Sequence, residues 1–324
     1  MNSPLSPTDE PQLSVVATGL RFPEGPIAMP DGSVVVVEIA RGTLSRVAPG
    51  GVVDVVADLG GGPNGAAIGP DGRCYVCNNG GMEFAEHKGR LFPGDQPEDY
   101  SGGRIECVDL VTGEVEVLYN EAGGRPLRGP NDLVFDRHGG FWFTDHGKTR
   151  ARDRDRTGVF YAAADGSRID EVIFPLEMPN GVGLSPDESE LYIAESPTGR
   201  LWAYELAAPG MIVGKRRDKP DGGRLVGGRD GLFYFDSLAV DGEGNVCVAT
   251  IAPGGISILS PGGADPRFVP LPDTMTTNIC FGGDDLTTAF ITLSSTGQLV
   301  SMPWHCPGQA LNHLNVPLAT GEAR

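Results

Sequence analysis

The sequence predicts an all-β fold, a six-bladed β-propeller whose N-terminal strand closes the last blade. A unit of two short strands recurs along the chain, its copies are spaced as propeller blades are, and no helical stripe of convincing length is present. Glycine, with 48 of 324 residues, and proline, with 27, are frequent but show no collagen period. This composition is typical of many short strands joined by turns.

The clearest copy of the repeat is GPNDLVFDRHGGFWFTDHG at 129–147. Asn131 precedes an apolar strand, a turn follows at 136–140, and a second apolar strand ends at Asp145. The polar residues that begin the six copies, here called the head residues, are Glu24, Asn64, Asn131, Asn180, Asp236 and Asn278. Their successive spacings are 40, 67, 49, 56 and 42 residues. A period of about 40–50 residues indicates propeller blades.

In chain order, residues 1–11 are polar and proline-rich, so we expect a disordered N-terminal tail. Residues 12–324 are predicted to form a single propeller domain. A strand at 13–18 precedes the first copy, and we expect it to complete blade six, because later copies also follow a strand that ends the preceding blade. This closure removes an unpaired sheet edge. The insertion at 82–103 is the longest departure from the repeat and is predicted to be a lid over one mouth of the channel.

Composition limits the partners and the location of the protein. The formal charge of −18 argues against nucleic acid as a partner, because phosphate binding requires Lys and Arg. The N-terminal residues lack the basic and apolar regions of a secretory signal, and no run is long enough to span a membrane. We therefore expect a cytoplasmic protein that does not contact membranes and keeps its six cysteines as free thiols. Homo-oligomer formation is left open.

The head residues are predicted to converge on the central channel, because each begins the innermost strand of its blade. All six carry side-chain oxygen, as two carboxylates and four carboxamides. This set favours one divalent cation, with Ca²⁺ preferred because it takes about 6–8 oxygen ligands. Zn²⁺, Mn²⁺, Fe²⁺ and Mg²⁺ are the alternatives. A single Pro-Asn-Gly is most simply a turn, but turns also accept Ser or Gly, so six acids or amides in one register favour a site.

Other motifs carry weaker signals. GGGPNG at 60–65 matches a dinucleotide-binding pattern but leads into a strand instead of a helix. Cys74 and Cys77 form a C-x-x-C whose members point to opposite faces of a strand, which argues against a zinc or redox role. His146 follows the second strand of the clearest copy and is either a substrate contact or a structural histidine.

The chain contains, in order, RFPEGP, RGPNDLVFDRHGGFWFTDHG, MPNGVGLSPDESELYIAES, FDSLAVDGEGNVCVAT and TNICFGGDDLTTAFIT. This combination resembles the senescence marker protein, gluconolactonase and luciferin-regenerating-enzyme-like family, and its bacterial lactonase branch in particular. Members of that family are six-bladed propellers with a divalent metal in the channel, and many hydrolyse lactones. The resemblance implies Glu24, Asn180 and Asp236 as metal ligands, and Asn131 as a fourth ligand or a substrate contact.

The resemblance also implies that the protein is a metal-dependent lactonase with a small lactone or ester as substrate. Asp236 is expected to act as general base or to attack the substrate directly. Asn64, Asn131 and His146 are the expected substrate contacts, and Asp132 is expected to hold Asn131 in place. Two alternatives are a phosphotriesterase or arylesterase of the paraoxonase or diisopropyl fluorophosphatase type, and a non-catalytic binding scaffold with a structural metal. The lactone, the metal and the oligomeric state are left open.

Overall fold

The computed structural model describes residues 12–214, 222–228 and 231–316, and these residues form strands and turns without a helix. The predicted tail at 1–11 lies outside them. Within the described ranges, no helix is long and apolar enough to cross a membrane. The strands of these ranges assemble into six antiparallel blades arranged in a ring, which confirms the predicted fold class.

The strands are β1 (Ser14–Ala17), β2 (Pro23–Ala28), β3 (Val34–Glu38), β4 (Thr43–Val47), β5 (Val53–Asp58), β6 (Pro63–Ile68), β7 (Cys74–Asn78), β8 (Phe84–His87), β9 (Arg90–Pro93), β10 (Arg104–Val108), β11 (Val115–Tyr119), β12 (Glu121–Ala122), β13 (Arg125–Pro126), β14 (Pro130–Phe135), β15 (Gly140–Asp145), β16 (Thr157–Ala163), β17 (Ile169–Leu176), β18 (Pro179–Leu184), β19 (Glu190–Glu195), β20 (Arg200–Ala208), β21 (Met211–Ile212), β22 (Arg224–Gly228), β23 (Tyr234–Val240), β24 (Val246–Ile251), β25 (Gly255–Leu259), β26 (Arg267–Pro270), β27 (Thr276–Gly282), β28 (Thr288–Leu293) and β29 (Gln298–Pro303).

Each blade is an antiparallel meander that runs outward from the channel. From the innermost strand outward, the blades are β2-β3-β4-β5, β6-β7-β10-β11, β14-β15-β16-β17, β18-β19-β20-β22, β23-β24-β25-β26 and β27-β28-β29-β1. Strand β21 adds a short pairing to β20 in blade 4. In blade 6, Ser14 of β1 pairs with Ser301 and Val15 with Val300. The N-terminal strand therefore closes the last blade, as the sequence predicts.

Apolar side chains on both faces of the blades pack against the neighbouring blades. In β3, Val35 and Val37 lie in a cluster with blade 2, whereas Val34 and Val36 lie in a cluster with blade 6. All four are at most 1% exposed. A run of valines without polar alternation is expected for a strand that is covered on both faces. Because each blade is packed between two others, closing the ring completes the core.

A C-terminal segment at 307–316 closes the channel at the end opposite the head residues. The cavity behind this segment has a volume of about 110 Å³, and Leu311 and Leu314 contribute to its wall. Asn312 Nδ2 donates to the carbonyl of Phe135 at 3.1 Å and to Glu188 Oε1 at 2.7 Å. These bonds join the last described residues of the chain to blades 3 and 4.

The insertion at 82–103 contains a hairpin made of β8 and β9. Leu91 in β9 donates its N–H to the carbonyl of Ser295 in blade 6 at 3.0 Å. Its side chain packs with Phe22 and Met275, which directly precede the innermost strands of blades 1 and 6. The hairpin leaves blade 2 and reaches blades 1 and 6 on the face of the propeller where the head residues begin their strands.

Candidate functional site

Every innermost strand has a break in its pairing register close to its head residue. In blade 3, Pro130 pairs with Asp145 and Leu133 with Phe143, so the two residues after Pro130 oppose a single residue of β15. Such β-bulges redirect a side chain locally and are frequent near active sites. The six head residues are all buried, with exposures of 2–8%: Glu24, Asn64, Asn131, Asn180, Asp236 and Asn278.

The glycines that follow three head residues are required by close approach between neighbouring innermost strands. A Cβ at Gly25 would lie 2.8 Å from the carbonyl oxygen of Asn64, and one at Gly65 would lie 2.4 Å from that of Asn131. A Cβ at Gly181 would lie 2.7 Å from the carbonyl oxygen of Asp236. The Pro-x-Gly pattern therefore reflects packing between blades inside strands. It does not mark turns.

Two hydrogen bonds to Glu24 reach the same carboxylate oxygen, and the side chain of Thr277 makes a further one. Asn278 Nδ2 donates to Glu24 Oε2 at 2.7 Å, and the N–H of Gly25 donates to it at 2.9 Å. The Oδ1 of Asn278 accepts the N–H of Ile279 at 2.8 Å. Asn278 therefore orients Glu24 with its amide nitrogen while its oxygen is already engaged, a role that the sequence does not reveal.

Asn131 and Asn180 each have a buried amide oxygen without a partner. The Oδ1 atoms of both residues have no hydrogen bond among the described residues. Asn180 Nδ2 donates to Ser196 Oγ at 3.1 Å, a contact that no motif in the sequence indicates. A buried acceptor left without a partner costs about 1–3 kcal/mol. These two oxygens are therefore available to a ligand in the channel.

Three buried carboxyl groups lie close enough to affect one another electrostatically. Burial raises the pKa of Glu24, and burial together with the charge of Glu24 raises the pKa of Asp236 well above its usual range. Burial and the charge of Glu24 also raise the pKa of Asp132 to about 7. The charged forms of these groups are disfavoured by desolvation and by mutual repulsion. A cation in the channel would relieve both effects.

The donor set fits a hard divalent cation. Glu24 and Asp236 supply carboxylate oxygens, and Asn131 and Asn180 supply unpartnered amide oxygens. Carboxylate and amide oxygens suit hard cations such as Ca²⁺, Mg²⁺ and Mn²⁺. These four residues are the ones that would hold it.

Asp132 lies beside this set and connects three blades. Its Oδ1 accepts the N–H of Leu133 at 2.9 Å, and its own N–H donates to Thr144 Oγ1 at 3.2 Å. Contacts with Ser237 in blade 5 and Val182 in blade 4 partly oppose the rise in its pKa. Its support of Asn131 stays a prediction, as does substrate contact by Asn64, which is 6% exposed.

His146 has a neutral imidazole at neutral pH. Burial, with the charge of Lys148, lowers its pKa to about 4, and its contact with the backbone of Pro179 opposes this decrease only in part. Its Nδ1 is buried and has no partner among the described residues. Pro179 directly precedes Asn180, so the ring lies beside the innermost strand of blade 4. Its contact with substrate stays a prediction.

A family model described as SMP-30/Gluconolactonase/LRE-like region matches residues 22–295, which include all the head residues. The chain belongs to this family. Among its relatives in the SMP-30/gluconolactonase/LRE-like family, a gluconolactonase of Zymomonas mobilis is 28% identical over 300 residues, covering 83% of this chain and 76% of the relative. Lactonase drp35 of Staphylococcus saprophyticus is 27% identical over 266 residues, covering 79% and 72%. The resemblance inferred from the motifs is thus confirmed.

The fold agrees with that of a solved structure. The structure of a gluconolactonase from Xanthomonas campestris superposes with a TM-score of 0.69 at 23% sequence identity, covering 90% of this chain and 89% of the other. At this identity the likeness shows the shared propeller fold.

Proposed function

We propose that this protein is a divalent-cation-dependent lactonase that opens a small lactone at the head residues of the channel. The observation that carries this proposal is the pairing of two buried carboxylates, Glu24 and Asp236, with the unpartnered amide oxygens of Asn131 and Asn180. The relatives named gluconolactonase and lactonase support ring opening as the reaction. The all-oxygen donor set supports Ca²⁺ as the cation.

Bound by these four residues, the cation would polarise the substrate carbonyl and stabilise the negative charge that develops on its oxygen. Asp236, ionised beside the bound cation, would take a proton from the attacking water. The water oxygen bonds to the carbonyl carbon, the ring C–O bond breaks, and the proton passes to the departing alkoxide. The product is one open chain with a hydroxyl and a carboxylic acid, which releases its proton to water and becomes a carboxylate.

The remaining site residues would orient the substrate. His146 would offer the lone pair of Nδ1 to a substrate hydroxyl, because its ring is neutral and this atom has no partner among the described residues. Asn64 and Asn131 would add amide contacts from blades 2 and 3. Asn278 would keep Glu24 in place through its 2.7 Å bond.

The insertion at 82–103 would act as a lid on this mouth of the channel. Three contacts, at its ends and in its middle, support this role. Tyr100 donates its hydroxyl to the carbonyl of Arg128 at 2.6 Å, and Lys148 Nζ donates to the carbonyl of Gly81, the residue directly before the insertion, at 2.5 Å. Leu91 packs on residues of blades 1 and 6. A segment fixed at both ends and across its middle would exclude water from the bound substrate.

The test uses protein stripped with EDTA and reloaded separately with Ca²⁺, Zn²⁺, Mn²⁺, Fe²⁺ or Mg²⁺. Each form is assayed for acid release from a panel of aldonolactones, and in parallel against a fluorophosphate and an aryl ester. We expect metal-stimulated, EDTA-sensitive opening of at least one lactone. Asp236→Asn should abolish it, whereas Asp285→Asn, in an exposed turn of blade 6, should not.

The outcomes separate the alternatives. Absence of metal-stimulated opening of every lactone would overturn the proposal. Turnover of the fluorophosphate or aryl ester without any lactone activity would favour the phosphotriesterase or arylesterase alternative. No turnover of any substrate by protein that binds the metal would favour the binding scaffold. Hydrolysis in ¹⁸O-labelled water under single-turnover conditions then distinguishes attack by water, which labels the product, from direct attack by Asp236, which labels the carboxylate of the enzyme.

A further inference from the structure

A second cluster of metal-ligand side chains lies outside the channel. Ligand atoms of Asp241, His305 and Cys306 all lie within 4.8 Å of one another. Asp241 occupies the turn between β23 and β24 of blade 5, and the other two residues follow the end of β29 in blade 6. The cluster therefore brings one oxygen, one nitrogen and one sulfur ligand to the junction of two blades.

We propose that Asp241, His305 and Cys306 bind a thiophilic divalent cation such as Zn²⁺. His305 Nε2 and Asp241 Oδ2 are 3.9 Å apart, which is too long for a hydrogen bond. Around a tetrahedral Zn²⁺ with bonds of about 2.0–2.3 Å, two ligand atoms are separated by about 3.3–3.6 Å. The three ligand atoms need to approach one another by at most about 1.5 Å to share an ion.

Asp241 is held in place to act as a ligand. The residue is fully buried, and its Oδ1 accepts the N–H groups of Glu243 at 3.0 Å and Asn245 at 2.9 Å. Asn245 Nδ2 donates to Oδ2 at 3.0 Å. A carboxylate oxygen has two lone pairs, so Oδ2 retains one that can face His305.

The charged groups around the cluster are compatible with a cation. Arg267 Nη2 lies 3.3 Å from His305 Nε2, but Arg267 is exposed at the start of β26, and its side chain can turn toward solvent. The carboxylate of Glu243 is near enough to raise the pKa of both His305 and Cys306. Glu243 or a water molecule would supply the fourth ligand of the tetrahedron.

The protonation states suit an ion that displaces a proton. Burial and the charge of Arg267 lower the pKa of His305, so its imidazole is neutral and offers a lone pair. Burial, with the charges of Asp241 and Glu243, raises the pKa of the Cys306 thiol to about 11. Thiols bind metals as thiolates, so binding releases this proton.

A cation here would fasten the C-terminal segment to blade 5. The N–H of Gly242 already donates to the carbonyl of Pro307 at 2.7 Å, and that of Gln309 to the carbonyl of Val240 at 3.0 Å. Both contacts flank the cluster in sequence. The proposed ion therefore has a structural role at the end of the channel opposite the candidate active site.

The test is a Co²⁺ titration of the full chain in excess Ca²⁺, with absorbance read in the near ultraviolet, where thiolate-bound Co²⁺ shows a sulfur-to-metal charge-transfer band. We expect the wild-type protein to show this band and Zn²⁺ to displace it. Cys306→Ala should abolish the band. His305→Ala, a change at a partly exposed residue, should weaken Co²⁺ binding at least tenfold. Cys107→Ala, at a buried cysteine elsewhere, is the matched control and should retain the band.

Two results would overturn this proposal: the absence of the band in wild-type protein, or a band that persists unchanged in Cys306→Ala. Zn²⁺ should also raise the Tm of wild-type protein but not that of His305→Ala, which covers the case in which Cys306→Ala fails to fold. These readouts do not depend on turnover, so they stand apart from the lactonase assay.

Discussion

Glu24→Gln should weaken cation binding in the channel and at the same time stabilise the cation-free protein. The substitution preserves shape, because the hydrogen bonds that Asn278 and Gly25 donate to Glu24 both reach Oε2, with the Thr277 side chain as a further partner. A glutamine can place its Oε1 there and keep both bonds. What it removes is one negative charge from a group of three buried carboxyls.

The expected loss of affinity follows from the burial of Glu24, which is 2% exposed. Removing one member of a buried charge pair typically costs about 3–5 kcal/mol. With about 1.4 kcal/mol for each tenfold change in affinity, cation binding should weaken by about a hundredfold to several thousandfold. Without the cation, the same change relieves repulsion on Asp236 and Asp132, whose pKa values Glu24 helps to raise. A gain of about 1–2 kcal/mol corresponds to a rise of a few degrees in Tm for a domain of this size.

Calorimetric Ca²⁺ titration and thermal unfolding with and without EDTA measure the two effects. The matched control is Glu38→Gln, at a buried glutamate of the neighbouring strand that accepts bonds from Arg21 and Ser45. It should lower Tm in both conditions and leave Ca²⁺ affinity unchanged. If Glu24→Gln lowers the Tm of the cation-free protein or binds Ca²⁺ as tightly as wild type, the assignment of Glu24 to a repulsive ligand cluster is incorrect.

Three further predictions concern pH, the lid and the channel end. Because the pKa of Asp132 is raised from 3.8 to about 7, folding favours its protonated form, and this contribution is present below about pH 4 and lost as pH rises through 7. At about 1.4 kcal/mol per pKa unit, urea unfolding of cation-free protein should show that the free energy of unfolding falls by up to about 4 kcal/mol across this window. Asp132→Asn should lose this contribution to the pH dependence, and a pH profile equal to that of the wild type would show that Asp132 is not its source. Leu91→Ser should raise KM for the lactone more than it lowers kcat, because it loosens the lid, whereas Glu86→Ala at the exposed tip should change neither. Asn312→Ala should lower the free energy of unfolding by about 1 kcal/mol with kcat retained, because it removes two partly buried hydrogen bonds at the channel end.

The fold is predictable from the repeat because every blade has the same pattern of strands and turns. Each copy follows a strand that ends the preceding blade, and this order places β1, which precedes the first copy, in blade 6. The glycines after Glu24, Asn64 and Asn180 were ambiguous in the sequence, where Pro-x-Gly is ordinary turn chemistry. Only the distance to the neighbouring strand, 2.4–2.8 Å from a Cβ built at these glycines, shows why they are needed.

The sequence does not predict which head residues use their side chains to bond one another and which leave an oxygen without a partner. Asn278 and Asn180 have the same residue type and the same position in the repeat, yet one donates to Glu24 and the other leaves its Oδ1 without a partner among the described residues. The bond between Asn278 and Glu24 joins residues 254 positions apart. This bond forms because ring closure places blade 6 against blade 1. A local sequence pattern does not predict such a contact.

The cluster of Asp241, His305 and Cys306 is also not predictable from local sequence, because its members come from two different blades. Asp241 has the appearance of an ordinary turn residue, and its bonds to Glu243 and Asn245 are those of such a turn. His305 and Cys306 directly precede the C-terminal segment at 307–316, which comes close to Asp241 only in the folded ring. A motif search that requires short spacing therefore cannot connect them.

The close packing of the innermost strands sets the thermodynamics of the candidate active site. Glycines at the contact points allow the innermost strands to pack closely, and this packing keeps the three carboxyls near one another. They can only bind protons or a cation. Because burial and the charge of Glu24 raise the pKa of Asp236 well above its usual range, we expect a cation that binds near neutral pH to displace a proton from Asp236. Ca²⁺ binding should therefore release protons, which calorimetry in buffers of different ionisation enthalpy measures. A binding enthalpy that does not vary with the buffer would show that the carboxyls are already ionised, and that the packing does not impose the repulsion inferred here.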